Sequence, residues 1–315
     1  MTTDGPLLLL DSASLYFRAF HALPESMTAP DGTPVNAVRG FLDAIARLVT
    51  RWSPSRVVAC WDEDWRPAFR VAALPSYKEH RVAADGGEEV PPALTAQVPV
   101  IIEALEAMGI ARVGAAGYEA DDVIGTLVAR ELAAPAEQRA AEVLVVTGDR
   151  DLFQLVDDEG GISVLYPVRG AKDLQRIDQA WLHEKYGVAT GAAYADMATL
   201  RGDPSDGLPG VAGIGEKTAA ALLAKHGDLA GVIAAAQSVS GGLTPAQRTR
   251  IREAHAYLAV APDVVRVAPD APVADVTGEL PATPADPDAV ARLAERWNLS
   301  SSFARLVTAC ADAAG

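Results

Sequence analysis

The amino-acid sequence predicts an α/β fold with a parallel β-sheet covered by helices on both faces. Three short apolar runs, at residues 7–10, 56–61 and 142–147, are typical of strands that are buried on both sides. Segments with apolar residues at helical spacing alternate with these runs, as in sheets built from strand–helix–strand units. Each run is followed by aspartate, and such sheets bind their ligands beyond the carboxyl ends of the strands.

Length and composition limit the classes of protein to which this chain can belong. The chain has 315 residues, enough for about two domains, and its two cysteines, Cys60 and Cys310, give no disulfide framework. The apolar run at 7–10 lacks a basic flank and a cleavage site, and no apolar stretch approaches the roughly 20 residues of a membrane helix. We therefore expect a soluble cytoplasmic protein. Its formal charge of −15 argues against a nucleic-acid partner, unless many of the acids are gathered to hold metal.

The first two strands are each followed by an acid. Asp11 ends the first strand, and residues 12–21 are predicted to be helical. A second helix is predicted for residues 35–52, because its apolar residues fall on one face. Asp62 follows the second strand.

The segment 63–92 interrupts the alternation of strands and helices. Aromatic and basic side chains are interleaved in it, namely Trp65, Arg66, Phe69, Arg70, Tyr77, Lys78 and Arg81. One interpretation is an ordinary solvated loop. The other is a mobile element that grips single-stranded nucleic acid by stacking and charge. Lys78 and Arg81 would share a face if this part is helical.

Residues 118–122, with the sequence Tyr-Glu-Ala-Asp-Asp, place three carboxylates at the start of an amphipathic helix. Acids in a first turn complement the helix dipole by up to about 1 kcal/mol, which would explain this stretch taken alone. The third strand is followed by Asp149 and Asp151. A single strand-end aspartate is usually a cap or a turn former. Here three strands each place an acid at the same edge of the sheet, where Glu119 is also expected. This convergence favours a functional cluster of carboxylates over separate caps.

The second half of the chain is predicted to be largely helical. A strand at 161–166 is followed by helices at 177–186 and 192–200. A proline-rich connector then precedes two more helices, at 288–297 and 303–310. We expect the C-terminal helices to pack on the body of the protein; the alternative is a flexible tail.

A loop with two more acids, Asp203 and Asp206, is followed by a glycine-rich turn at 213–218 that opens a helix at 219–225. The turn is not a P-loop, because Glu216 stands where the motif requires lysine, and it is not a dinucleotide fingerprint. Glycines allow the backbone close approach, and helix N-termini attract phosphate. The turn resembles a helix-hairpin-helix element that follows a DNA backbone without reading bases. The plain alternative is a glycine-rich turn between helices.

So many acids in one place require cations or protons. Two carboxylates about 5 Å apart repel by roughly 3 kcal/mol at an effective dielectric constant near 20. No cluster of histidine or cysteine indicates zinc, whereas Mg²⁺ and Mn²⁺ prefer oxygen ligands. Two such ions about 4 Å apart can activate water and stabilise the leaving oxygen in phosphodiester hydrolysis. Setting nine site acids aside changes the formal charge from −15 to −6, so the objection to a nucleic-acid partner loses most of its weight.

Taken in order, these motifs resemble the bacterial 5′-nuclease family, which comprises flap endonucleases and the 5′–3′ exonuclease domain of DNA polymerase I. The resemblance covers roughly residues 7–303. The matching residues are Asp11, Asp62, Phe69-Arg70, Tyr77-Lys78, Arg81, YEADD at 118–122, TGDRD at 147–151, GDPSD at 202–206, LPGV at 208–211 and GIGEKT at 213–218.

The resemblance implies a fold and a division of the chain. The fold would be related to PIN domains, with a parallel-sheet core and a helical arch at 63–92 over the active site. Residues 1–176 would form the nuclease core and residues 177–315 a helical DNA-binding region, with a helix-three-turn-helix motif around 200–236.

The resemblance also implies roles for individual residues. One metal ion would be held by Asp11, Asp62, Glu119 and Asp121, and the second site and any third by Asp122, Asp149, Asp151, Asp203 and Asp206. Lys78 and Arg81 would steady the scissile phosphate, and Tyr77 would lie near the unpaired base. The contacts with DNA would come from Arg18, Phe69, Arg70, Tyr77, Gly213, Gly215, Lys217 and Thr218. In this family the glycine-rich turn often holds a potassium ion.

The sequence thus predicts a structure-specific 5′ nuclease with two or more Mg²⁺ or Mn²⁺ ions. It would remove 5′ flaps and degrade DNA 5′→3′ in primer removal and repair, leaving 5′-phosphate and 3′-hydroxyl ends. Its expected partners are DNA flaps, nicks or ends, with RNA-primed ends as an open variant, and no membrane. We expect a monomer in the cytoplasm, associated with the nucleoid.

Two alternatives to this hypothesis stay open, namely a DNA-junction binding module without catalysis and a PIN-type ribonuclease. The sequence departs from the family pattern at Ser12, Gly148, Arg150 and Gly207. Gly207 stands where the family usually has asparagine. It adjoins Asp206, so it bears on how rigidly that carboxylate, and with it the weaker metal site, is held.

Overall fold

The structure is a computed structural model that describes residues 5–84, 86–168 and 173–314. Within these ranges the chain forms a six-stranded sheet. Its strands are β1 (Leu7–Asp11), β2 (Arg56–Trp61), β3 (Ala111–Gly114), β4 (Val143–Val146), β5 (Ile162–Pro167) and β6 (Leu174–Ile177). Their order is β3-β2-β1-β4-β5-β6, with β1 to β5 parallel and β6 antiparallel to β5. The predicted α/β fold with a parallel-sheet core is confirmed.

Helices cover both faces of this sheet. They are α1 (Ser12–Ala22), α2 (Asn36–Trp52), α3 (Ala68–Ala73), α4 (Pro92–Thr95), α5 (Val98–Met108), α6 (Ala120–Ala133), α7 (Gln179–Tyr186), α8 (Gly191–Arg201), α9 (Glu216–His226), α10 (Leu229–Gln237), α11 (Pro245–Glu253), α12 (His255–Val265), α13 (Pro287–Arg296) and α14 (Ser300–Ala314). One core lies between the sheet and α1, α2, α5, α13 and α14; the other lies between the sheet and the helices from α6 to α12.

The four leucines of β1 show why the strands are continuously apolar. Leu7 and Leu9 belong to the core under α6, whereas Leu8 and Leu10 belong to the core under α1 and α2. Successive side chains of a strand point to opposite faces, so a central strand buried on both sides has no position for a polar residue. The same arrangement leaves the first polar position, Asp11, at the carboxyl edge.

The predicted arch, 63–92, is only partly helical. Its described residues contain the six-residue α3, a 3₁₀ turn at Glu79–Arg81 and the first residue of α4, and the rest is irregular. Pro75 interrupts any helix that would follow α3, and Lys78 has a positive φ of 47°. The segment therefore crosses the carboxyl edge of the sheet as a mostly irregular chain. Its Tyr77 is buried against Leu208.

Several other elements differ from those predicted. Ile177, predicted to start a helix, ends β6, and α7 begins after Asp178, whose side chain caps it by accepting from the Trp181 N–H at 2.8 Å. β3 was not predicted because it lies at the sheet edge and fully buries only Val113. α11 was missed for a similar reason: Ile251 is its one buried residue.

The C-terminal helices pack on the body, as expected. α13 contacts α5, and α14 contacts α2. Phe303 and Leu306 of α14 are buried in the core, and Arg305 forms an ion pair with Asp43 of α2 at 2.7 Å. The flexible-tail alternative is wrong. No single described helix is long and apolar enough to cross a membrane; only α9 and α10 together, bent by 84°, pass that test.

A buried amide stabilises the start of α2, the helix that supports α1. Val35 provides no side-chain cap there. Instead Gln97 Oε1 accepts from the backbone N–H groups of Ala37 and Val38, at 2.8 and 3.3 Å, and its Nε2 donates to Asn36 Oδ1 at 3.0 Å. Gln97 is 1% exposed, so these N–H groups have no access to water as a substitute.

Replacing this amide tests the packing of the α1–α2 layer. Gln97→Leu is expected to lower the free energy of unfolding by about 3 kcal/mol, because buried N–H groups lose their acceptor. Urea unfolding followed by circular dichroism measures it. Gln138→Leu, at an exposed position, is the matched control and should change stability by less than about 0.5 kcal/mol. Equal effects of the two substitutions would contradict the capping role.

Candidate metal centre

The predicted acids meet in a cleft of about 1120 Å³ beyond the carboxyl ends of β1, β2 and β4. Seven of the nine line it: Asp11, Asp62, Glu119, Asp121, Asp149, Asp151 and Asp203. Asp206 lines a small cavity that adjoins the cleft and shares Glu119, Asp121, Asp151 and Asp203 with it. The parallel sheet therefore brings together carboxylates that lie up to about 200 residues apart in the sequence.

The strand-end acids are fixed by hydrogen bonds from neighbouring elements. Asp11 Oδ1 accepts from the Ser14 N–H at 3.1 Å, which caps α1, and its Oδ2 accepts from the Thr147 hydroxyl at 2.6 Å. Asp62 Oδ1 accepts from the N–H of Ala120, the first residue of α6, at 2.8 Å. Capping and clustering are thus compatible, since each carboxylate has an oxygen or a lone pair left for another partner.

The loop after β4 is organised around Thr147, which sequence reasoning did not single out. Its hydroxyl donates to Asp11 and accepts from the Asp149 N–H at 2.8 Å. Asp149 Oδ1 in turn accepts from the Asp151 N–H at 2.9 Å. This one hydroxyl therefore joins acids from β1 and β4. Its position as the first residue of the TGDRD motif was the only signal in the sequence.

Burial and mutual repulsion disfavour ionisation of these acids in the metal-free protein. Burial raises the pKa of Asp11 to about 7, with a further contribution from Asp62. Burial raises the pKa of Asp62 to about 6. The pKa of Asp151 rises to about 8, by burial and then by the charge of Asp149. Burial, followed by the charge of Asp149, also raises the pKa of Asp121 well above its ordinary value. A cation in the cleft would relieve this repulsion.

Cationic side chains from the segment 63–92 already pair with two of the acids. Lys78 Nζ pairs with Glu119 Oε1, and Arg81 Nη2 pairs with Asp206 Oδ1 at 2.6 Å. Burial lowers the pKa of Lys78, but the charges of Glu119, Tyr77 and Asp206 and the hydrogen bond to Glu119 together raise that pKa well above the usual range. In the described ranges, no three acidic, histidine or cysteine side chains are already arranged around one point as metal ligands. The predicted catalytic cations thus lie at the site, in contact with the predicted ligands.

Two of the predicted site residues are corrected by their burial. Asp122 is 0% exposed, and both of its oxygens accept from Arg70, at 2.7 and 2.6 Å. It therefore offers no oxygen to a metal ion. Arg70, predicted to contact DNA, is 2% exposed and lies inside the protein. A helix turns by about 100° per residue, so Asp121 faces the cleft while its neighbour Asp122 faces the core.

The other predicted DNA contacts divide into buried and accessible groups. Tyr77 is 4% exposed, and its hydroxyl donates to Glu119 Oε2 at 2.6 Å, so in this conformation it cannot stack on a base. Phe69 is 39% exposed. Arg18 is half-buried and lies over Gly148, where an added Cβ would come within 2.6 Å of its Nη2.

The glycine-rich turn lies at the start of α9. Gly213, Gly215 and Lys217 are exposed, Thr218 is half-buried, and the buried Ile214 anchors the turn. Gly213 has a φ of +69°, which favours glycine, and the Arg250 guanidinium lies against it. The exposed backbone of the turn is available to a ligand.

Further polar residues of the cleft were not singled out from the sequence. Arg201, at the end of α8, lies 3.9 Å from Asp203 and 3.5 Å from Glu216. Glu88 also lines the cleft, and burial raises its pKa. Both lie within segments that carry predicted site residues, which was the only available signal.

Gly207 holds the Asp206 loop in place. Its φ is +75°, and an added Cβ would overlap the backbone carbonyl oxygen of Ser76. Ser76 Oγ donates to the Gly207 carbonyl at 2.7 Å, and the Lys78 N–H donates to the Asp206 carbonyl at 3.1 Å. With Arg81 paired to Asp206, the loop is tied to the segment 63–92 at several points. Glycine therefore permits a close contact here and does not loosen Asp206.

Two family models match adjoining parts of the chain. The N-terminal resolvase-like domain of 5′–3′ exonucleases matches residues 6–187. The C-terminal SAM fold of 5′–3′ exonucleases matches residues 189–288. The chain belongs to the 5′–3′ exonuclease family. The resemblance seen in the sequence is thereby confirmed.

Relatives of this 5′–3′ exonuclease family member include chains of similar length and longer ones. A 5′–3′ exonuclease of Streptomyces coelicolor is 59% identical over 306 residues, which are 96% of this chain and 99% of that protein. A 5′–3′ exonuclease of Mycobacterium tuberculosis is 51% identical over 96% of both chains. DNA polymerase I of Mycobacterium leprae is 38% identical over 99% of this chain, which matches 32% of the polymerase.

Solved structures share the fold at low sequence identity. The T5 D15 protein, co-crystallised with metal ions, has a TM-score of 0.65 and 16% identity, covering 98% of this chain and 100% of its own. The catalytic core of Rad2 in complex with DNA substrate has a TM-score of 0.59 and 16% identity, covering 97% and 93%. The sheet with its two helical layers is therefore a fold that solved structures also show.

The raised pKa values predict how stability depends on pH. The pKa values of Asp11, Asp62 and Asp151 all lie above the ordinary value near 3.9. The folded protein therefore binds more protons than the unfolded chain between about pH 4 and pH 8, and stability falls as pH rises through that window. In a chelator, the free energy of unfolding should be several kcal/mol smaller at pH 8 than at pH 5.

Urea unfolding at the two pH values measures this difference. Added Mn²⁺ should reduce it, because a bound cation replaces the protons. Asp62→Asn should also reduce it. Metal-free stability that is constant or rises from pH 5 to pH 8 would contradict the assignment.

Gly207 can be tested by adding only a methyl group. Gly207→Ala imposes a positive φ on alanine and forces the Ser76 carbonyl away. Gly32→Ala is the matched control, since Gly32 has a φ of +88° with no atom near the added Cβ. Gly207→Ala should destabilise the protein by about 1–3 kcal/mol more than the control. Hydrogen exchange should also become faster at residues 74–82, and unchanged exchange there would contradict the proposed contact.

Proposed function

We propose that this chain is a structure-specific 5′ nuclease that hydrolyses DNA phosphodiesters with bound divalent metal ions, in primer removal and repair. The observation that carries the proposal is the convergence of seven carboxylates in one cleft, with Lys78 and Arg81 beside them. The family membership and the metal ions and DNA named for T5 D15 and Rad2 support it.

The donor set fits hard divalent cations. Every candidate ligand is a carboxylate, which favours Mg²⁺ or Mn²⁺ over zinc. One ion would be held by Asp11, Asp62, Glu119 and Asp121, and a second by Asp149, Asp151, Asp203 and Asp206. Asp122 is not among these ligands, because both of its carboxylate oxygens accept hydrogen bonds from Arg70. Bound there, the ions would activate the attacking water and stabilise the leaving oxygen.

Lys78 and Arg81 would change partners when metal and DNA bind. In the structure they neutralise Glu119 and Asp206. Once cations neutralise those carboxylates, both side chains are free to pair with the scissile phosphate. Their positive charge would then lie next to the negative charge that develops on it during hydrolysis. The same two residues thus stabilise the acids before binding and the phosphate afterwards.

DNA would contact two places on the surface. The turn 213–218, which would also hold the potassium ion, would bind the phosphate backbone of the duplex without reading its sequence. The 5′ end or flap would enter the cleft, past Arg18 and Phe69. Tyr77 could stack on a base only after its hydroxyl leaves Glu119. We propose a monomer that acts on flaps, nicks and ends, RNA-primed ends included.

The decisive experiment is cleavage of a 5′-flapped duplex, labelled at the flap, with Mg²⁺, with Mn²⁺ and with chelator. The wild type should release short 5′ fragments only when metal is present. The variant Asp149→Asn/Asp151→Asn should cut at least about 100-fold more slowly, because it loses charge at the second metal site. The exposed pair Asp286→Asn/Asp288→Asn, far from the cleft in sequence and lining none of it, should cut normally.

Two results would support other functions. A wild type that binds the flap but never cuts it with either metal would be a DNA-junction binding module. Preferential cleavage of single-stranded RNA over flapped DNA would indicate a PIN-type ribonuclease. Normal cutting by the Asp149→Asn/Asp151→Asn variant would remove these two acids from the metal centre.

A further inference from the structure

We propose that Arg70 and Asp122 form a buried positioning pair that fixes Glu119 at the edge of the metal centre. In this role Arg70 contacts no DNA phosphate, and Asp122 binds no metal. The inference rests on the proposed function, because it gives Glu119 the role of a metal ligand. It concerns how that ligand is held in place.

Every donor of the Arg70 guanidinium is used inside the protein. Nη1 donates to Glu119 Oε2 at 2.8 Å and to Asp122 Oδ2 at 2.7 Å. Nη2 donates to Asp122 Oδ1 at 2.6 Å and to the Arg266 carbonyl at 3.3 Å, and Nε donates to the Val264 carbonyl at 3.0 Å. An arginine has five N–H donors, so none is left for a phosphate.

The two carboxylate oxygens of Asp122 are likewise fully occupied as hydrogen-bond acceptors. Oδ1 accepts from Arg70 and from the Ala268 N–H at 2.8 Å. Oδ2 accepts from Arg70 and from the Glu119 N–H at 3.2 Å. A carboxylate offers about four lone-pair positions, and all four are occupied. A metal ion could bind Asp122 only by breaking the pair in the interior of the protein.

The pair holds Glu119 by its backbone and by its side chain. Asp122 accepts from the Glu119 N–H, while Arg70 donates to Oε2. The remaining oxygen, Oε1, pairs with Lys78 and faces the cleft. Arg70 lies on α3 and Asp122 on α6, so the pair also links these two helices. Residues that orient a metal ligand commonly affect metal affinity about 10–100-fold when they are changed.

The pair also joins residues 264–268, which end α12 and follow it, to the metal centre. The carbonyls of Val264 and Arg266 accept from Arg70, and the Ala268 N–H donates to Asp122. Gln154 binds the same stretch from the other side, through the Val265 carbonyl and the Val267 N–H, each at 3.0 Å. The C-terminal end of α12 is therefore bound to the core at the residue pair that positions Glu119.

The test separates a positioning role from a DNA contact. Arg70→Met removes the cation, and Arg70→Met/Asp122→Leu removes both buried charges together. Lys217→Met serves as the contrast, because Lys217 is exposed on the proposed duplex-binding turn. For each full-length variant, calorimetry measures Mn²⁺ affinity and stoichiometry. Fluorescence anisotropy in chelator measures flap-DNA affinity, steady-state kinetics give kcat and KM, and circular dichroism reports folding.

The positioning role predicts a specific pattern. Arg70→Met should weaken Mn²⁺ binding about 10–100-fold and lower kcat, with flap-DNA affinity changed less than about twofold. Lys217→Met should do the reverse, weakening DNA binding at unchanged Mn²⁺ affinity. The double variant should recover part of the Mn²⁺ affinity, with the wild-type number of ions bound, because no charge is left unpaired in the interior.

Three outcomes would overturn the inference. One is an Arg70→Met variant that resembles Lys217→Met, with weaker DNA binding and unchanged Mn²⁺ binding. The second is the loss of one bound Mn²⁺ in the double variant or in Asp122→Asn, which keeps the shape of the side chain if Arg70→Met alone does not fold. The third is a wild type that binds no Mn²⁺, which would overturn the proposed function as well. The first two leave the proposed function standing.

Discussion

Repulsion among carboxylates at one edge of a parallel sheet is the constraint on which the rest of this structure depends. The fold creates the constraint itself, because strands that are apolar on both faces leave the strand ends as the first positions for acids. Several of the acids are then stabilised by neighbours. Asp11 accepts from Ser14 and Thr147, Asp62 accepts from the start of α6, and Glu119 and Asp206 are paired with cations.

These neighbours come from outside the sheet, which explains how the irregular segment and the helical region are attached. Lys78 and Arg81 bring the segment 63–92 over the cleft, and Gly207 lets that segment approach the loop after α8. Arg70 lies deeper in the protein and donates to the Val264 carbonyl near the end of α12. Ion pairs and hydrogen bonds therefore add to the apolar contacts that already join these parts.

The sequence was sufficient for the sheet and for the edge at which the acids meet. Both follow from local patterns, namely apolar runs ended by aspartate. It was insufficient to separate Asp121 from Asp122, because two adjacent acids at a helix start differ only in which one faces the core. Likewise, Arg70 and Arg81 look alike in the sequence, but one is buried and the other half-exposed. That difference depends on residues 264–268, nearly 200 positions further along the chain.

The docking of α14 on α2 has a consequence for biosynthesis. Asp43 and Arg305, which join the two helices, are 262 residues apart. At about 5–20 residues per second, a ribosome needs roughly 10–50 s to make the intervening chain. During that time the apolar face of α2 that α14 covers stays open to other molecules. Until α14 leaves the exit tunnel, this face of a nascent chain is therefore a site at which chaperones or other nascent chains can bind.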